Sequence, residues 1–253
     1  LKVSALVSAY NSSDFLTDCL RDLLAQTLYK KGELEIIVID SGSEEKEDTI
    51  VNDFQKYYDR IKFLRTKKRE TLYQAWNRGI FIAEGEFITN ANTDDSHDEE
   101  CLEILAYELS RNIEFGLVYG NIRKIIESIN GKSQESLIKC ESQKFFPGSL
   151  FIHYPYGAQP MWRKSLHDNV GVFNNEFTAV GDYEFALRLV EAGTRSLYVP
   201  EAWGNMRWRQ DAISTRDSDA INEKNKLLKK YRNSKSIHLS YQYHFQAFPF
   251  LKK

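Results

Sequence analysis

Residues 34–43 read LEIIVIDSGS, an apolar and largely β-branched run that ends in polar and small residues. Such a run is typical of a buried strand followed by a turn. Residues 2–9, 61–66 and 86–91 have the same form. We therefore expect four short strands, each of which places polar side chains at its carboxyl end.

Apolar residues recur at helical spacing between these strands. The first intervening segment carries Phe15, Leu16, Cys19, Leu20, Leu23 and Leu24 on one face. Strands that alternate with helices are typical of right-handed βαβ units in a parallel sheet. The sequence thus predicts an α/β fold with a mostly parallel sheet over residues 1–120, helices on both faces, and a further strand over residues 115–122.

The second half of the chain is less regular. Asn130 and Gly131 lie between apolar runs within residues 123–140, which predicts a hairpin. We also expect strands over residues 157–163 and 195–199, the latter stopped by Pro200, and helices over residues 182–192 and 222–231. No linker-like tract divides the chain, so we expect one domain over residues 1–215, then a C-terminal helix and aromatic tail over residues 216–253.

Composition excludes several classes of protein. Lys and Arg number 34 against 36 Asp and Glu, and a net charge of −2 gives no global attraction to nucleic acid. No apolar run approaches the roughly 18 residues that span a bilayer, so we expect no transmembrane helix, and the opening residues lead us to expect no signal peptide. The three cysteines are too widely spaced for a disulfide framework or a zinc site.

These features lead us to expect a cytoplasmic protein, with peripheral attachment to the inner face of the membrane as the alternative. The chain opens on Leu1 and enters a strand almost at once. We therefore also expect it to be part of a longer protein with a flanking domain.

Polar clusters follow all four predicted strands, at residues 10–12, 40–43, 69–73 and 92–95. In open parallel sheets, ligands bind beyond the carboxyl ends of the strands because loops and helix N-termini converge there. Each cluster also has a purely structural explanation: Ser12 and Ser41 as helix caps, Gly42 as a turn residue, and Asp94 with Asp95 as the start of a helix.

Together these strings resemble family 2 glycosyltransferases of the GT-A fold, over about residues 2–215. The strings that carry the resemblance, in the family's order, are VSAYN (7–11), IVIDSGS (37–43), AWNRG (75–79), NANTDD (90–95) and VGDYEF (180–185). QPMWRKSL (159–166) and GVF (171–173) are similar to the family's acceptor-side half. The resemblance implies a Rossmann-like sheet, mostly parallel and flanked by helices, with a nucleotide-binding half over residues 1–120 and a smaller acceptor-side sheet within residues 121–215.

The activity that the resemblance implies is inverting, metal-assisted transfer of a sugar from a nucleotide-sugar donor, most simply a UDP-linked one, to a hydroxyl acceptor. The expected enzyme is a hexosyl- or N-acetylhexosaminyltransferase of polysaccharide biosynthesis, acting on a glycan or a lipid-linked acceptor.

Donor recognition needs partners for a base, a ribose and a diphosphate. Tyr10 is expected to lie against the base, and Asp40 to accept the N–H of a uracil ring. Arg69 and Tyr73 are expected to flank the nucleotide. The full expected set is Ala9, Tyr10, Asn11, Asp40, Arg69, Tyr73, Asn77, Asn92, Thr93, Asp94, Arg207 and Arg209. For Asn77, packing under the sheet is the alternative, and Trp76 is expected in the core.

Asp94 with Asp95 corresponds to the family's Asp-x-Asp metal motif, and carboxylate oxygens suit Mg²⁺ or Mn²⁺. Asn92 stands where the family has the first Asp, which predicts weaker metal binding or a ribose contact instead. His97 is a further candidate ligand, but we expect an exposed histidine at a helix start.

Asp182 is the candidate general base, since it matches the Asp of the family's Glu-Asp motif with Gly181 in place of the Glu. A helix start would keep its carboxylate ionised. A simple N-cap is the alternative role for Asp182, and Glu184 is the fallback base.

Two further groups have open roles. Arg207 and Arg209 are expected near the diphosphate, or else as a surface pair beside a buried Trp208. The second group, Tyr154, Tyr156, Gln159 and Trp162, is expected to form an aromatic acceptor platform, or else to pack a loop.

Three other functions were weighed. Nucleotidyl transfer requires a glycine-rich loop after the first strand, whereas residues 9–13 read AYNSS. A Rossmann dehydrogenase is excluded because no Gly-x-Gly-x-x-Gly follows that strand. A non-catalytic carbohydrate- or nucleotide-binding module remains the alternative, because Asn92 and Gly181 depart from the family's pattern.

Overall fold

The computed structural model describes residues 2–126, 136–140, 145–151, 154–157, 159–208 and 217–234. Its strands are β1 (Val3–Ala9), β2 (Leu34–Asp40), β3 (Ile61–Arg65), β4 (Phe87–Asn90), β5 (Ser96–His97), β6 (Phe115–Ile126), β7 (Ser136–Cys140), β8 (Met161–Arg163) and β9 (Arg195–Trp208). Its helices are α1 (Ser13–Ala25), α2 (Thr27–Lys30), α3 (Glu47–Gln55), α4 (Leu72–Ile82), α5 (Cys101–Arg111), α6 (Leu166–Val170), α7 (Gly181–Glu191) and α8 (Asp217–Tyr231), with a 3₁₀ turn over Pro147–Phe151.

The strands form one sheet in the order β3-β2-β1-β4-β8-β6-β9-β5, with β7 beside β6. The pairs β3–β2, β2–β1 and β1–β4 are parallel, as the alternation of strands and helices predicts. Ala9 lies opposite Asp40, and Asp40 lies opposite Arg65. The carboxyl ends of these strands therefore meet at one edge, which we call the carboxyl edge.

Helices cover both faces of the sheet, and each face has its own core. Along β1, Val3, Ala5 and Val7 are buried on the face that carries α1 and α5. Leu6 points the other way, into the core beneath α4 and α7. This alternation follows from the two-residue repeat of a strand, and it makes the continuous apolar run in β2 typical of a strand buried on both sides.

The second half of the chain continues the same sheet. β8 pairs antiparallel with β4 and with β6 and so joins the two halves. β6 and β7 pair antiparallel, which confirms the predicted hairpin, although its turn with Asn130 and Gly131 lies outside the described residues. The predicted strand over residues 157–163 is confirmed only over its last three residues, Met161–Arg163.

The prediction that Pro200 stops a strand is wrong, because β9 continues past it to Trp208. The β6–β9 register shifts between Tyr119 and Asn121, and Pro200 lies opposite this irregularity. A bulge tolerates a proline because the residue there does not need to donate an N–H hydrogen bond to the neighbouring strand. The Asn121 side chain donates to the Pro200 carbonyl oxygen at 2.8 Å and so satisfies that carbonyl within the irregular stretch.

Helix α8 confirms the helix expected near the C-terminus, and it begins earlier than expected, at Asp217. Its Leu227 and Tyr231 are buried against the core beneath α4 and α7. The aromatic tail over residues 237–253 lies outside the described residues. Among the helices of the described ranges, none has the length and apolarity that crossing a bilayer requires.

A buried carboxylate joins the strands at the opposite edge. Glu35, 1% exposed, accepts hydrogen bonds from the Ser4 hydroxyl at 2.5 Å and the Glu84 N–H at 2.6 Å. Its other oxygen lies 2.8 Å from Lys62 Nζ. Burial acts to raise the pKa of Glu35, but the bonds from Lys62 and Ser4 outweigh it and lower the pKa.

We predict that Glu35→Gln destabilises the fold by about 2 kcal/mol at pH 7, because the amide replaces an acceptor with a donor among buried donors. A lowered folded-state pKa stabilises the protein above the unfolded value of 4.5, and this stabilisation is lost as the pH falls through the folded-state pKa. Urea unfolding at pH 7 and at lower pH should therefore show a difference that shrinks with acidity. Glu33→Gln, at an exposed neighbour, is the control, and an equal effect of both variants would contradict the prediction.

Candidate functional site

Tyr10 and Arg69 form a stacked pair where β1 ends. The Arg69 guanidinium lies 4.2 Å from the centre of the Tyr10 ring, Tyr10 is half-buried and Arg69 is exposed. A cation over an aromatic face is attracted by the ring's quadrupole. Tyr10, the predicted base contact, and Arg69, predicted to flank the nucleotide, are thus together at the carboxyl edge, and they present one flat, charged and aromatic surface.

Asn11 holds the loops that follow β1 and β2 together. Its φ of 46° lies in the left-handed region, which asparagine tolerates better than most residues. Its side-chain oxygen accepts the Glu44 N–H at 2.9 Å, and its own N–H donates to Ser43 Oγ at 3.0 Å. Ser12 is the N-cap residue of α1, as the capping explanation predicts, but its side chain makes no capping bond.

Asp40 is completely buried where β2 ends. One carboxylate oxygen accepts the Ser43 N–H at 2.9 Å, and the other lies 3.2 Å from Arg65 Nε. Arg65 also pairs with Asp48 at 2.9 Å. Sequence reasoning missed Arg65, although a cation at the end of β3, next to the Asp that ends β2, was a usable signal. Both oxygens of the Asp40 carboxylate are thus in contact with protein groups, and these contacts hold the loop that follows β2.

Two neighbours of Asp40 also position loops. Ser41 exchanges hydrogen bonds with the backbone of Glu70 at 2.6 and 3.1 Å, so the helix-cap explanation for Ser41 is wrong. Gly42 has a φ of +70°, and a Cβ there would lie 2.9 Å from the carbonyl carbon of Lys68. The turn explanation for Gly42 is therefore correct. The result is a fixed path from β2 to the Arg69 loop.

Asn92 and Asp95 bond to each other in the loop after β4. Asn92 Nδ2 donates to Asp95 Oδ2 at 2.9 Å, and the Arg207 N–H donates to Oδ1 at 3.2 Å. Asp95 is 7% exposed, and burial, then the neighbouring Asp94, raise its pKa to about 7. Asp94 and Asp95 do not begin a helix, since β5 follows and α5 starts only at Cys101.

Hard cations prefer carboxylate oxygens, which Asp94 and Asp95 supply. Both oxygens of Asp95 accept protein hydrogen bonds, and Asp94 is half-buried beside it. Within the described ranges no group of three His, Cys, Asp or Glu side chains is arranged to hold a metal. Asp94 and Asp95 are therefore the carboxylates that could hold a cation here, with a ligand such as a diphosphate completing its coordination.

His97 is not exposed, which corrects the expectation. Its side chain is 1% exposed in β5, and Nδ1 lies 2.7 Å from Asp22 Oδ2 on α1. The His97 N–H also donates to Asp22 Oδ1 at 2.9 Å. Sequence reasoning missed Asp22, whose position three residues after the buried Cys19 placed it on the inward face of α1. The pair anchors the strand that follows Asp95.

Asp182 lies in the first turn of α7. The N-cap explanation is wrong, since Val180 is the cap residue. Asp182 Oδ1 accepts the Tyr183 N–H at 2.8 Å and the Tyr73 hydroxyl at 3.1 Å. We expected the helix start to keep this carboxylate ionised, but burial raises the pKa of Asp182. The fallback base, Glu184, is buried on another side of the helix and holds Arg188 at 2.9 Å.

Tyr73 brings Asp182 to the carboxyl edge. Tyr73 lies in the first turn of α4, the helix that follows β3, so it belongs to the edge where β3 ends. The ring is 1% exposed, so the expectation that Tyr73 flanks the nucleotide is wrong. Its hydroxyl instead reaches Asp182 across the two halves of the chain.

Asn77, unlike Tyr73, lies away from the carboxyl edge. Its side chain donates to the Phe173 carbonyl at 2.8 Å and accepts the Phe173 N–H at 2.9 Å. It lines a surface groove of about 730 Å³ that also contains Gly85 and Glu86, which precede β4. The groove therefore lies at the amino edge of the sheet. The packing alternative describes Asn77, and Trp76 is buried in the core as expected.

The expected acceptor platform is mostly loop packing. Tyr156, Gln159 and Trp162 are buried, and each bonds to the protein: Tyr156 to Ser196 Oγ at 2.9 Å, Gln159 to the Ser96 carbonyl at 3.2 Å, and Trp162 to His167 Nε2 at 2.9 Å. Tyr154 differs, because it is half-buried and its pKa is raised first by burial and then by Asp182. Tyr154 thus lies beside the candidate base.

The remaining candidates fall into three groups. Arg207 is half-buried at the end of β9, and its charge lowers the pKa of Asp95 against the larger effect of burial. Ala9 is buried at the end of β1, and Thr93 is half-buried beside Asp94. Arg209 lies outside the described residues.

Known proteins resemble this chain in sequence and in fold. Glycosyltransferase GlyG of Streptococcus pneumoniae serotype 4 is 32% identical over 126 residues, which cover 50% of this chain and 40% of GlyG. S. aureus TarS 1-349 in complex with UDP-GlcNAc superposes with a TM-score of 0.74 at 19% identity, over 97% of this chain and 73% of that one. GalNAc-T7 with UDP, GalNAc and Mn²⁺ gives a TM-score of 0.72 at 14% identity, over 92% of this chain and 48% of that one.

The structural likeness, at such low identities, establishes the fold. The sequence establishes more, because the model of glycosyl transferase family 2 matches residues 4–173, well over half of the chain. With its α/β sheet and its polar carboxyl edge, the chain belongs to glycosyl transferase family 2 and has the GT-A fold.

Proposed function

We propose that this chain is an inverting glycosyltransferase that moves a sugar from a UDP-linked donor to a hydroxyl of a glycan or lipid-linked acceptor. The proposal is supported by two features of the carboxyl edge: Asp94, Asp95 and Arg207 lie in the loops there, and Tyr73, from the helix after β3, bonds to Asp182. The first three suit a diphosphate with its cation, and Asp182 suits the attacking hydroxyl.

Recognition of the nucleobase is assigned to the surface formed by Tyr10 and Arg69. The stacked pair offers a flat aromatic face and a cation, which suit the ring of a pyrimidine and its carbonyl oxygens. TarS, which has the same fold, is described as a complex with UDP-GlcNAc. That supports a UDP-linked donor here and leaves the sugar itself open between a hexose and an N-acetylhexosamine.

The diphosphate is assigned to Asp94, through Mg²⁺ or Mn²⁺, and to Arg207. Such a cation, when bound, offsets the negative charge that develops on the leaving diphosphate. Asp95 orients the loop through Asn92 and the Arg207 backbone. Arg207 brings a permanent positive charge to the same place and suits the phosphate oxygens.

Asp182 is assigned the role of general base. The acceptor oxygen attacks the anomeric carbon from the side opposite the diphosphate, its proton passes to Asp182, and the sugar–phosphate bond breaks with its electron pair on the phosphate oxygen. One such displacement inverts the anomeric centre. A raised pKa strengthens Asp182 as a proton acceptor while it is ionised, and so supports this role.

A binding module without catalysis is the second candidate. This candidate arises because Asn92 and Gly181 each replace an acidic residue of the family's pattern with a neutral one. The two candidates differ in one measurable property: both bind UDP, but only an enzyme releases it from a UDP-sugar.

We predict that Asp182→Asn lowers kcat by about a hundredfold to ten-thousandfold, because it removes the proton acceptor. UDP affinity, measured by calorimetry, should stay within about twofold, because the base does not touch the nucleotide. UDP release from UDP-glucose and UDP-N-acetylglucosamine with Mn²⁺ measures kcat. Asp168→Asn, in the exposed first turn of α6, is the control. Full activity in Asp182→Asn would refute the role of Asp182 as general base. If the unaltered protein bound UDP but released none from either UDP-sugar, the binding module would be favoured.

We predict that Arg69→Ala weakens UDP binding by about fivefold, the amount expected from loss of a cation beside an aromatic stack. Calorimetric titration with UDP and Mn²⁺ gives the affinity. Arg111→Ala is the matched control, since Arg111 lies 5.2 Å over the ring of Tyr107 on α5 in the same kind of pair. Equal losses of UDP affinity in the two variants would mean that the uracil ring does not bind at Tyr10 and Arg69.

We predict that Asp94→Asn raises the Mn²⁺ concentration needed for half-maximal UDP binding by about tenfold, because a carboxylate ligand becomes neutral. Calorimetry of UDP binding at stepped Mn²⁺ concentrations measures this shift. Asp59→Asn, at a side chain that is 89% exposed, should leave it unchanged. UDP binding that is insensitive both to chelation and to Asp94→Asn would remove the cation from the proposal.

A further inference from the structure

The start of α7 is in close contact with the first turn of α4. A Cβ on Gly181 would lie 2.7 Å from Cδ2 and from Cε2 of the Tyr73 ring. Real side chains do not approach rings so closely. The ring of Tyr73 therefore occupies the space that a side chain at residue 181 would need.

The Tyr73 ring is also fixed from its other sides. It lies edge-on to Trp76 with the ring centres 5.5 Å apart, and it is stacked on Phe173 at 5.9 Å. The turn that carries it is closed by reciprocal bonds between Thr71 and Gln74. A ring held in this way has one position for its hydroxyl, which donates to Asp182 Oδ1 at 3.1 Å.

We propose that Tyr73 is a positioning residue that fixes the carboxylate of Asp182 for catalysis, and that residue 181 is a glycine because the Tyr73 ring fills that space. This inference rests on the proposed role of Asp182 as the base. It assigns to α4, in the nucleotide-binding half, the placement of a catalytic group carried by the other half.

The hydrogen bonds also distinguish the two oxygens of Asp182. The Tyr183 N–H and the Tyr73 hydroxyl both donate to Oδ1. Two donors on one oxygen fix the plane of the carboxylate and reduce the basicity of that oxygen. Oδ2 accepts neither of these two bonds, which suits it to receive the acceptor's proton.

The charge state of Asp182 reports on this contact. The described titratable groups that face it are phenols: Tyr73 from α4 and Tyr154 from the segment before β8. Burial raises the pKa of Asp182, and the bonds from Tyr183 and Tyr73 partly counter this. Removal of the Tyr73 hydroxyl should therefore raise the pKa of Asp182 further.

The test is Tyr73→Phe in the full chain, read by ¹³C NMR titration of the aspartate carboxyls. The Asp182 signal is the one that disappears in Asp182→Asn. We expect its pKa to rise by about one unit, the shift that corresponds to one lost bond to a carboxylate. In UDP release from UDP-N-acetylglucosamine, the acidic limb of the kcat profile should move up equally, with an unchanged KM for the donor.

Tyr198→Phe is the matched control, because it also removes a half-buried hydroxyl, one that donates to Asn121 at 2.8 Å. It should leave the Asp182 titration and the kcat profile unchanged. Circular dichroism spectra and thermal unfolding of the two variants show whether either effect is a loss of folding.

Gly181→Ala supplies a second test that leaves the tyrosine in place. Its methyl group should displace the ring and raise the pKa of Asp182 as Tyr73→Phe does. Because both changes act through one bond, the double variant should shift no further than either single variant. A Gly181→Ala protein with the unaltered pKa would refute the packing role of the glycine.

The outcomes separate this inference from the function on which it rests. An unshifted Asp182 titration in Tyr73→Phe overturns the positioning role, whether or not Asp182→Asn is inactive. If the Asp182 titration shifts in Tyr73→Phe but Asp182→Asn is fully active, the contact between Tyr73 and Asp182 is upheld and the role of Asp182 as general base is overturned. A shifted titration, a shifted kcat profile and an inactive Asp182→Asn support both.

Discussion

Parallel pairing of β1 with β2 and β4 is the constraint on which the rest of the site depends. Parallel strands end on the same side, so the residues after Ala9, Asp40 and Asn90 come together at one edge although they are far apart in the sequence. Helices cover both faces, which leaves only the edges of the sheet open to a ligand. Glu35 closes the amino edge with hydrogen bonds and an ion pair, while the carboxyl edge carries Asp95 and Asp182, whose pKa values are raised by burial.

The buried carboxylates divide by how well they are compensated. Lys62 holds the pKa of Glu35 below its usual value, whereas burial raises that of Asp182, and burial with Asp94 raises that of Asp95 to about 7. Paired acids stabilise a fold, while acids whose charge is left costly by their surroundings are typical of sites that await a cation or a proton. The two acids with raised pKa values, Asp95 and Asp182, both lie at the carboxyl edge. The energetic cost of burying their charges is thus concentrated at that edge.

Sequence reasoning predicted the strands β1 to β4 and the four polar clusters well, because periodicity and strand direction are local properties of the chain. It failed where a polar side chain had to choose its partner. Tyr73, Asn77 and His97 each bond to a residue more than seventy positions away, and no local pattern encodes such a pairing. Pro200 failed for the opposite reason, since its strand-breaking tendency is local and the bulge that accommodates it depends on β6.

The two departures from the family's acidic pattern have partners in this fold. Asn92 donates to Asp95, where an aspartate would have added a third negative charge beside Asp94 and Asp95. Gly181 leaves room for Tyr73, whose hydroxyl supplies a donor to Asp182. Residues that drift after a function is lost have no reason to acquire matched contacts on the groups that remain. The matching of both substitutions to Asp95 and Asp182 therefore favours a working transferase over a module that only binds.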